Sequence, residues 1–145
     1  MRWALGIEYD GTQYCGWQAQ PALRSVEGDL TLAISLVADH EVELVCGGRT
    51  DSGVHARGQV AHLDVPADCL VVTMERLAIQ LRGVLPEDIV VHRVSSAPDG
   101  FDARFSCLWR RYEYLIDDRS IGLDPLTRAF VVENYRPLNL DLMNE

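Results

Sequence analysis

The spacing of hydrophobic residues changes period along this chain, and the order of those changes limits the fold more than any other feature. Trp3 to Tyr9 alternates loosely and stops at Asp10-Gly11, a strand followed by a turn. Gln13 to Leu23 holds Gly16 and Pro21 without any period and reads as loop. From Ser25, a candidate N-cap, Val26, Leu30, Ile34 and Val37 recur at helical spacing, with Leu32, Ala33 and Leu36 widening the stripe. That helix should end near His40. Glu41 to Cys46 alternates strictly, Gly47 to Gly58 is a glycine-rich connection, and Gln59 to Val65 alternates again. Thr73 to Leu81 is helical, with Met74, Leu77, Ala78 and Leu81 inward and Gly83 and Pro86 closing it. Ile89 to Val94, Trp109 to Ile116 and Arg128 to Val132 read as strands. The order β-α-β-β-α-β with extra strands is the ferredoxin-like, RRM-like plan. It is an α+β fold with helices on one face of an antiparallel sheet.

A chain of 145 residues is long enough to bury a core of its own. The apolar runs Cys69 to Val72 and Ala129 to Val132 are too short to span a bilayer. Met1 leads into a strand-like segment without a basic and then apolar leader, so a cytoplasmic protein is expected, with no membrane partner. Cys15, Cys46, Cys69 and Cys107 form no CxxC pair, which favours free thiols over structural zinc or disulfides. The tail Pro137 to Glu145 has the composition of a helix start. Residues 1–136 therefore read as one domain, and residues 137–145 as the start of a truncated helix that follows it.

The formal net charge is −9, yet all 13 basic residues are arginines. Cys46 to His62 and Phe101 to Tyr114 each sum to +1, which leaves −11 on the remainder. Net charge predicts weak attraction to a polyanion, whereas arginine's flat fork suits phosphate and base edges.

Chemistry concentrates in Gly47-Gly48-Arg49-Thr50-Asp51-Ser52-Gly53-Val54-His55-Ala56-Arg57-Gly58-Gln59-Val60. Glycine allows close backbone approach and positive φ. A carboxylate flanked by Arg49 and Arg57 would be held ionised, as a nucleophile or general base requires. Thr, Asp, Ser and Gly are equally the residues of a structural turn, so both readings stand at this point. Phe101-Asp102-Ala103-Arg104-Phe105-Ser106 and Arg110-Arg111-Tyr112-Glu113-Tyr114 interleave arginine with aromatics. That pairing suits phosphate contact with base stacking, or else an ordinary core strand. His55, His62 and Asp64 make a weak metal set, because His55 lies seven residues from His62 and no zinc signature surrounds them.

GRTDSGVHARGQVAH resembles the catalytic signature of the tRNA pseudouridine synthase A family. Leu5-Gly6-Ile7-Glu8-Tyr9-Asp10-Gly11 with Tyr14, Gly16-Trp17-Gln18 and Gln20 is similar to that family's first strand and loop. Leu85-Pro86-Glu87-Asp88-Ile89, Phe101 to Ser106 and Arg110 to Tyr114 follow in the family's order. The resemblance implies a cofactor-free isomerase acting on uridines of the tRNA anticodon stem-loop, without metal, as a homodimer. It makes Asp51 the catalytic aspartate, Arg49 a residue of the flipped-base site and Tyr112 the tyrosine against the uracil. Thr50, Gly53, His55, Gln59, Arg110 and Arg111 are the further candidates for substrate contact. Arg82-Gly83-Val84 stand where the family usually carries asparagine before its LP.DI element. The family is about twice this length, and its later half supplies a basic partner for the aspartate. This stretch alone is therefore expected to be inactive or nearly so. The rival reading is a non-catalytic RNA-binding module of the same fold, and a metal-dependent hydrolase on His55, His62 and Asp64 is the weaker third.

Overall fold

Four strands make the main sheet in the computed structural model, which describes residues 1–66, 72–119 and 121–144. They are β1 (Arg2–Tyr9), β2 (Val45–Cys46), β3 (Ala56–Asp64) and β4 (Ile89–Ser96). Their order across the sheet is β2-β3-β1-β4, with every neighbouring pair antiparallel. Helices α1 (Val26–Ala38) and α2 (Met74–Leu81) complete the βαββαβ plan expected from the sequence.

Alternation sorts β1 into two faces. Trp3, Leu5, Ile7 and Tyr9 are buried with Val26, Leu30, Ala33 and Ile34 of α1 and Leu77 and Leu81 of α2. Burial of such a cluster is the main favourable term for a domain of this size. Ser25 caps α1, its hydroxyl accepting from the Gly28 amide, and Thr73 caps α2 in the same way through Arg76. Leu32 and Leu36, expected to widen the inward stripe of α1, are exposed instead. Each lies two residues from Ile34, about 200° around the helix, so both look away from the sheet.

The opposite sheet face is covered at the His62 end by the turn Phe101–Ser106. The Ala103 amide donates to His62 Nδ1 at 3.0 Å, and the Phe101 ring meets the imidazole edge-on. Arg2 ties the same turn down, donating to the Phe101 carbonyl at 2.6 Å and gripping Asp64 with two nitrogens.

Three strand expectations need correction. Glu41 to Leu44 keeps its alternation, with Leu44 buried, but only Val45 and Cys46 pair with β3. The Val42 amide turns instead to the Ser35 hydroxyl of α1 at 3.2 Å, so the edge strand is cut short. Trp109 to Leu115 forms no ladder; the pairing begins at Ile116. There β5 (Ile116–Asp117) runs parallel to β6 (Val132–Glu133), the latter shorter and later than the Arg128–Val132 expectation. A short helix α3 (Leu140–Met143) follows, capped by Asn139.

The chain divides into two compact units, Met1–Leu108 and Trp109–Glu145. Cys15 and Cys46 are free thiols; Cys69, with the start of its apolar run, lies outside the described residues.

Candidate active site

The glycine-rich connection leaves β2 at Gly47, whose amide still donates to Val60 on β3 at 2.7 Å. Space at Gly47 is tight, since a Cβ there would stand 3.1 Å from the Ala103 carbonyl. The Phe101–Ser106 turn therefore abuts the root of the loop. Gln59 holds the next residue, its amide nitrogen donating to the Gly48 carbonyl at 2.6 Å. Beyond it, Thr50 Oγ1 lies 2.8 Å from the Tyr9 hydroxyl, whose pKa is raised above the phenolic value by burial.

The segment Asp10 to Arg24, aperiodic in sequence, forms a cradle beneath residues 50–55. The Trp17 amide donates to the Thr50 carbonyl at 2.9 Å. The Tyr14 carbonyl accepts from both the Gly53 amide and the Ser52 hydroxyl, each at 3.2 Å. The Gly11 amide donates to His55 Nδ1 at 3.1 Å. Two glycines make the approach possible. A Cβ at Gly16, where φ is +100°, would stand 2.8 Å from the Thr50 carbonyl, and one at Gly11 would overlap the Val54 carbonyl. The loop closes on itself through a Val54 amide to Asp51 carbonyl bond at 3.2 Å, with Gly53 at φ +77°, the positive φ that favours glycine in turns.

The result is a backbone fixed from below with its acid outward. Asp51 is exposed, and among the described residues its carboxylate makes no hydrogen bond or ion pair. The flanking arginines were expected to hold it ionised; neither Arg49 nor Arg57 forms an ion pair with it. The Thr50 carbonyl and the Gly53 amide bond the Trp17 and Tyr14 backbone beneath the loop, while the side chains at 49, 51 and 57 are exposed.

The cradle has its own anchor. The Tyr14 hydroxyl lies 2.7 Å from Asp88 and 3.0 Å from Asp29, and Arg24 forks onto both Asp88 oxygens at 2.9 Å. Burial, with the two carboxylates, pushes the Tyr14 hydroxyl far above the phenolic range. Burial raises Asp88 too, but the Arg24 and Tyr14 hydrogen bonds outweigh it and leave Asp88 below the ordinary carboxylate value.

Of the sequence candidates, Arg49, Thr50, Asp51, Gly53, His55 and Gln59 share this one loop and its base. Arg110, Arg111 and Tyr112 belong to the second unit, where Tyr112 is exposed and Arg111 pairs with Glu113 at 2.7 Å. Sequence reasoning missed Tyr14, Arg24 and Asp88 as functional supports; their one signal was that Tyr14 and Asp88 stand in motif segments. The metal set is dispersed in its contacts. His62 accepts from Ala103, Asp64 is held by Arg2, and His55 accepts from Gly11. Among the described residues, no three or more His, Cys, Asp or Glu side chains are grouped to hold a metal ion.

Fold and loop together define an α+β domain of the ferredoxin-like plan that presents one exposed carboxylate between its second and third strands. The family model described as tRNA pseudouridine synthase matches residues 6–106, a span that contains the cradle, the Asp51 loop and all of the sheet except the start of β1. The chain belongs to that family. It is 48% identical to tRNA pseudouridine synthase A of Streptomyces griseus over its whole length, covering 52% of that protein. Against the proteins of the same name from Streptomyces avermitilis and Tolumonas auensis it is 45% identical over its whole length, covering 52% and 54% of them. The chain thus spans about half the length of the curated relatives it matches.

Proposed function

We propose that this chain carries the catalytic aspartate of an enzyme that isomerises uridine to pseudouridine in tRNA. The observation that carries the reading is the exposed Asp51 carboxylate on a backbone braced by Tyr14, Trp17 and Gly11. A group that must meet a substrate sugar has to be accessible, and its placement has to survive the encounter.

The reaction breaks the N1–C1′ bond of uridine, turns the uracil and joins C5 to C1′; the C5 proton leaves and N1 gains one. Atoms and oxidation state balance within the nucleoside, so the chemistry calls for no cofactor. The target base leaves the stack to be reached. Asp51 then acts in one of two ways, attacking C1′ or removing a ribose proton to give a glycal, and an ionised carboxylate serves both. Arg49 and His55 flank the flipped nucleotide. Thr50 and Gln59, whose side chains are engaged by Tyr9 and Gly48, act by fixing the loop, and Gly53 by letting it turn. Arg110 and Arg111 meet phosphate, and Tyr112 packs on the uracil so that it rejoins instead of diffusing away. In its finer form the reading places the target in the anticodon stem-loop, the enzyme in the cytoplasm and the working form as a homodimer.

The test is pseudouridine content of a uridine-containing tRNA transcript incubated with the full-length protein that carries this chain. Product confined to the anticodon stem-loop, and lost when those uridines are replaced by cytidine, is expected. No pseudouridine anywhere in the transcript would refute the proposal.

A further inference from the structure

We infer that Tyr14 is a positioning residue for the Asp51 loop, its buried ring linking a half-buried ionic anchor to the carbonyl on which Ser52 and Gly53 rest. The inference rests on the pseudouridine-synthase reading of that loop.

Tyr14 is only 2% exposed, so its hydroxyl must find partners inside the protein. It has one proton to donate and lone pairs to accept with. Asp88 Oδ1 at 2.7 Å is the nearer carboxylate, and Arg24 Nη2 donates to the phenolic oxygen at 2.8 Å. Arg24 also reaches Asp29 through Nε at 3.2 Å, and its guanidinium carbon lies 4.2 Å from the Tyr14 ring centre. The ring is thus held at its tip and across its face, from α1 through Asp29 and from the entry to β4 through Asp88.

A tyrosine ring is rigid, with two torsions between its hydroxyl and its backbone. Fixing the tip therefore limits where the Tyr14 carbonyl can go. That carbonyl is the acceptor shared by the Ser52 hydroxyl and the Gly53 amide, the two residues that directly follow Asp51. Neither end of this link belongs to the motif loop alone. The Asp10 amide donates to the Asp88 carbonyl at 2.9 Å, so the same aspartate also fixes the start of the cradle. A shift of about 1 Å in a reacting group can cost up to about a hundredfold in rate.

The experiment, on the full-length protein that carries this chain, follows pseudouridine formation on the tRNA transcript and exchange of the Gly53 amide. Tyr14→Phe keeps the ring and loses the hydroxyl. It should lower kcat about tenfold with KM for tRNA within about twofold, and speed Gly53 exchange about tenfold. Ser52→Ala should lower kcat about threefold, and the double variant should be no worse than about twofold below Tyr14→Phe, because both act through one carbonyl. Asp88→Asn retains an acceptor for the phenol and should keep more activity than Asp88→Ala. Leu77→Ala, a core change in α2, should lower the melting temperature without changing kcat measured well below it. Tyr14→Phe with kcat within about twofold of wild type and unchanged Gly53 exchange would overturn the inference. So would a rise in KM alone. Should Tyr14→Phe not fold, Ser52→Ala and the Asp88 pair decide by the same criteria. If the wild type makes no pseudouridine, the functional proposal fails, and Gly53 exchange still decides the role of Tyr14.

Discussion

The loop Asp10–Arg24 and the segment Trp109–Leu115 reverse what their sequences suggest. The first has no period and reads as irregular connection; the second alternates large and charged residues and reads as a strand. In the structure Tyr14 and Trp17 of the first are almost fully buried, and the Gly11 and Trp17 amides and the Tyr14 carbonyl bond residues 50–55. In the second, Trp109, Tyr112 and Tyr114 are 76%, 69% and 86% exposed, with no ladder along them. Alternation makes a strand only where another strand takes up its hydrogen bonds. A segment without alternation can be held tightly when its partners are backbone groups of another loop.

Substitutions in the cradle should therefore cost far more than those in the aromatic segment. The largest effect is expected at Gly11, where a Cβ would overlap the Val54 carbonyl. Gly11→Ala should destabilise by about 3 kcal/mol, as forced overlap with rigid backbone does, read from the urea midpoint. A midpoint equal to wild type would break the comparison.

A smaller effect lies in the anchor and depends on pH. Asp88 titrates below its ordinary value because the Arg24 and Tyr14 hydrogen bonds overcome the effect of burial. A folded value below the unfolded one means that this contribution is complete above about pH 4, the unfolded carboxylate range. It is lost as pH falls through the folded value. Wild type should lose urea resistance as pH falls below about 4 more steeply than Asp88→Asn, which should begin about 1 kcal/mol lower at neutral pH. Parallel curves would show that Asp88 does not bear the load assigned to it. The smallest effect is at Tyr112, where alanine should change stability by less than about 0.5 kcal/mol while cutting pseudouridine formation at least about tenfold. Equal losses in both would make Tyr112 a packing residue.

Much of the fold was legible because burial leaves a periodic trace. Trp3, Leu5, Ile7 and Tyr9 announced β1, and Ser25 with Val26, Leu30 and Ile34 announced α1 and its cap. The length of β2 was not legible, since it turns on whether the Val42 amide meets β3 or Ser35. In the site, Gly47 to Gly58 was visible as a loop built for close approach, with Asp51 at its centre. Its support was hidden because carbonyls of Tyr14 and Thr50 carry it, and a backbone acceptor has no side-chain signature. Arg49 and Arg57 form no ion pair with Asp51 for a related reason. Proximity in sequence does not place charges in contact when the turn between them is held from the other side.

The most direct test of the account is single-turnover conversion of tRNA by the full-length protein that carries this chain, wild type against Asp51→Asn, with the bound fraction of tRNA measured in the same samples. Asp51 is exposed and unpaired among the described residues, so the substitution should leave folding and tRNA binding unchanged. Pseudouridine should fall below detection. Conversion by Asp51→Asn at the wild-type rate would move the chemistry off Asp51 and leave the braced loop a purely structural turn.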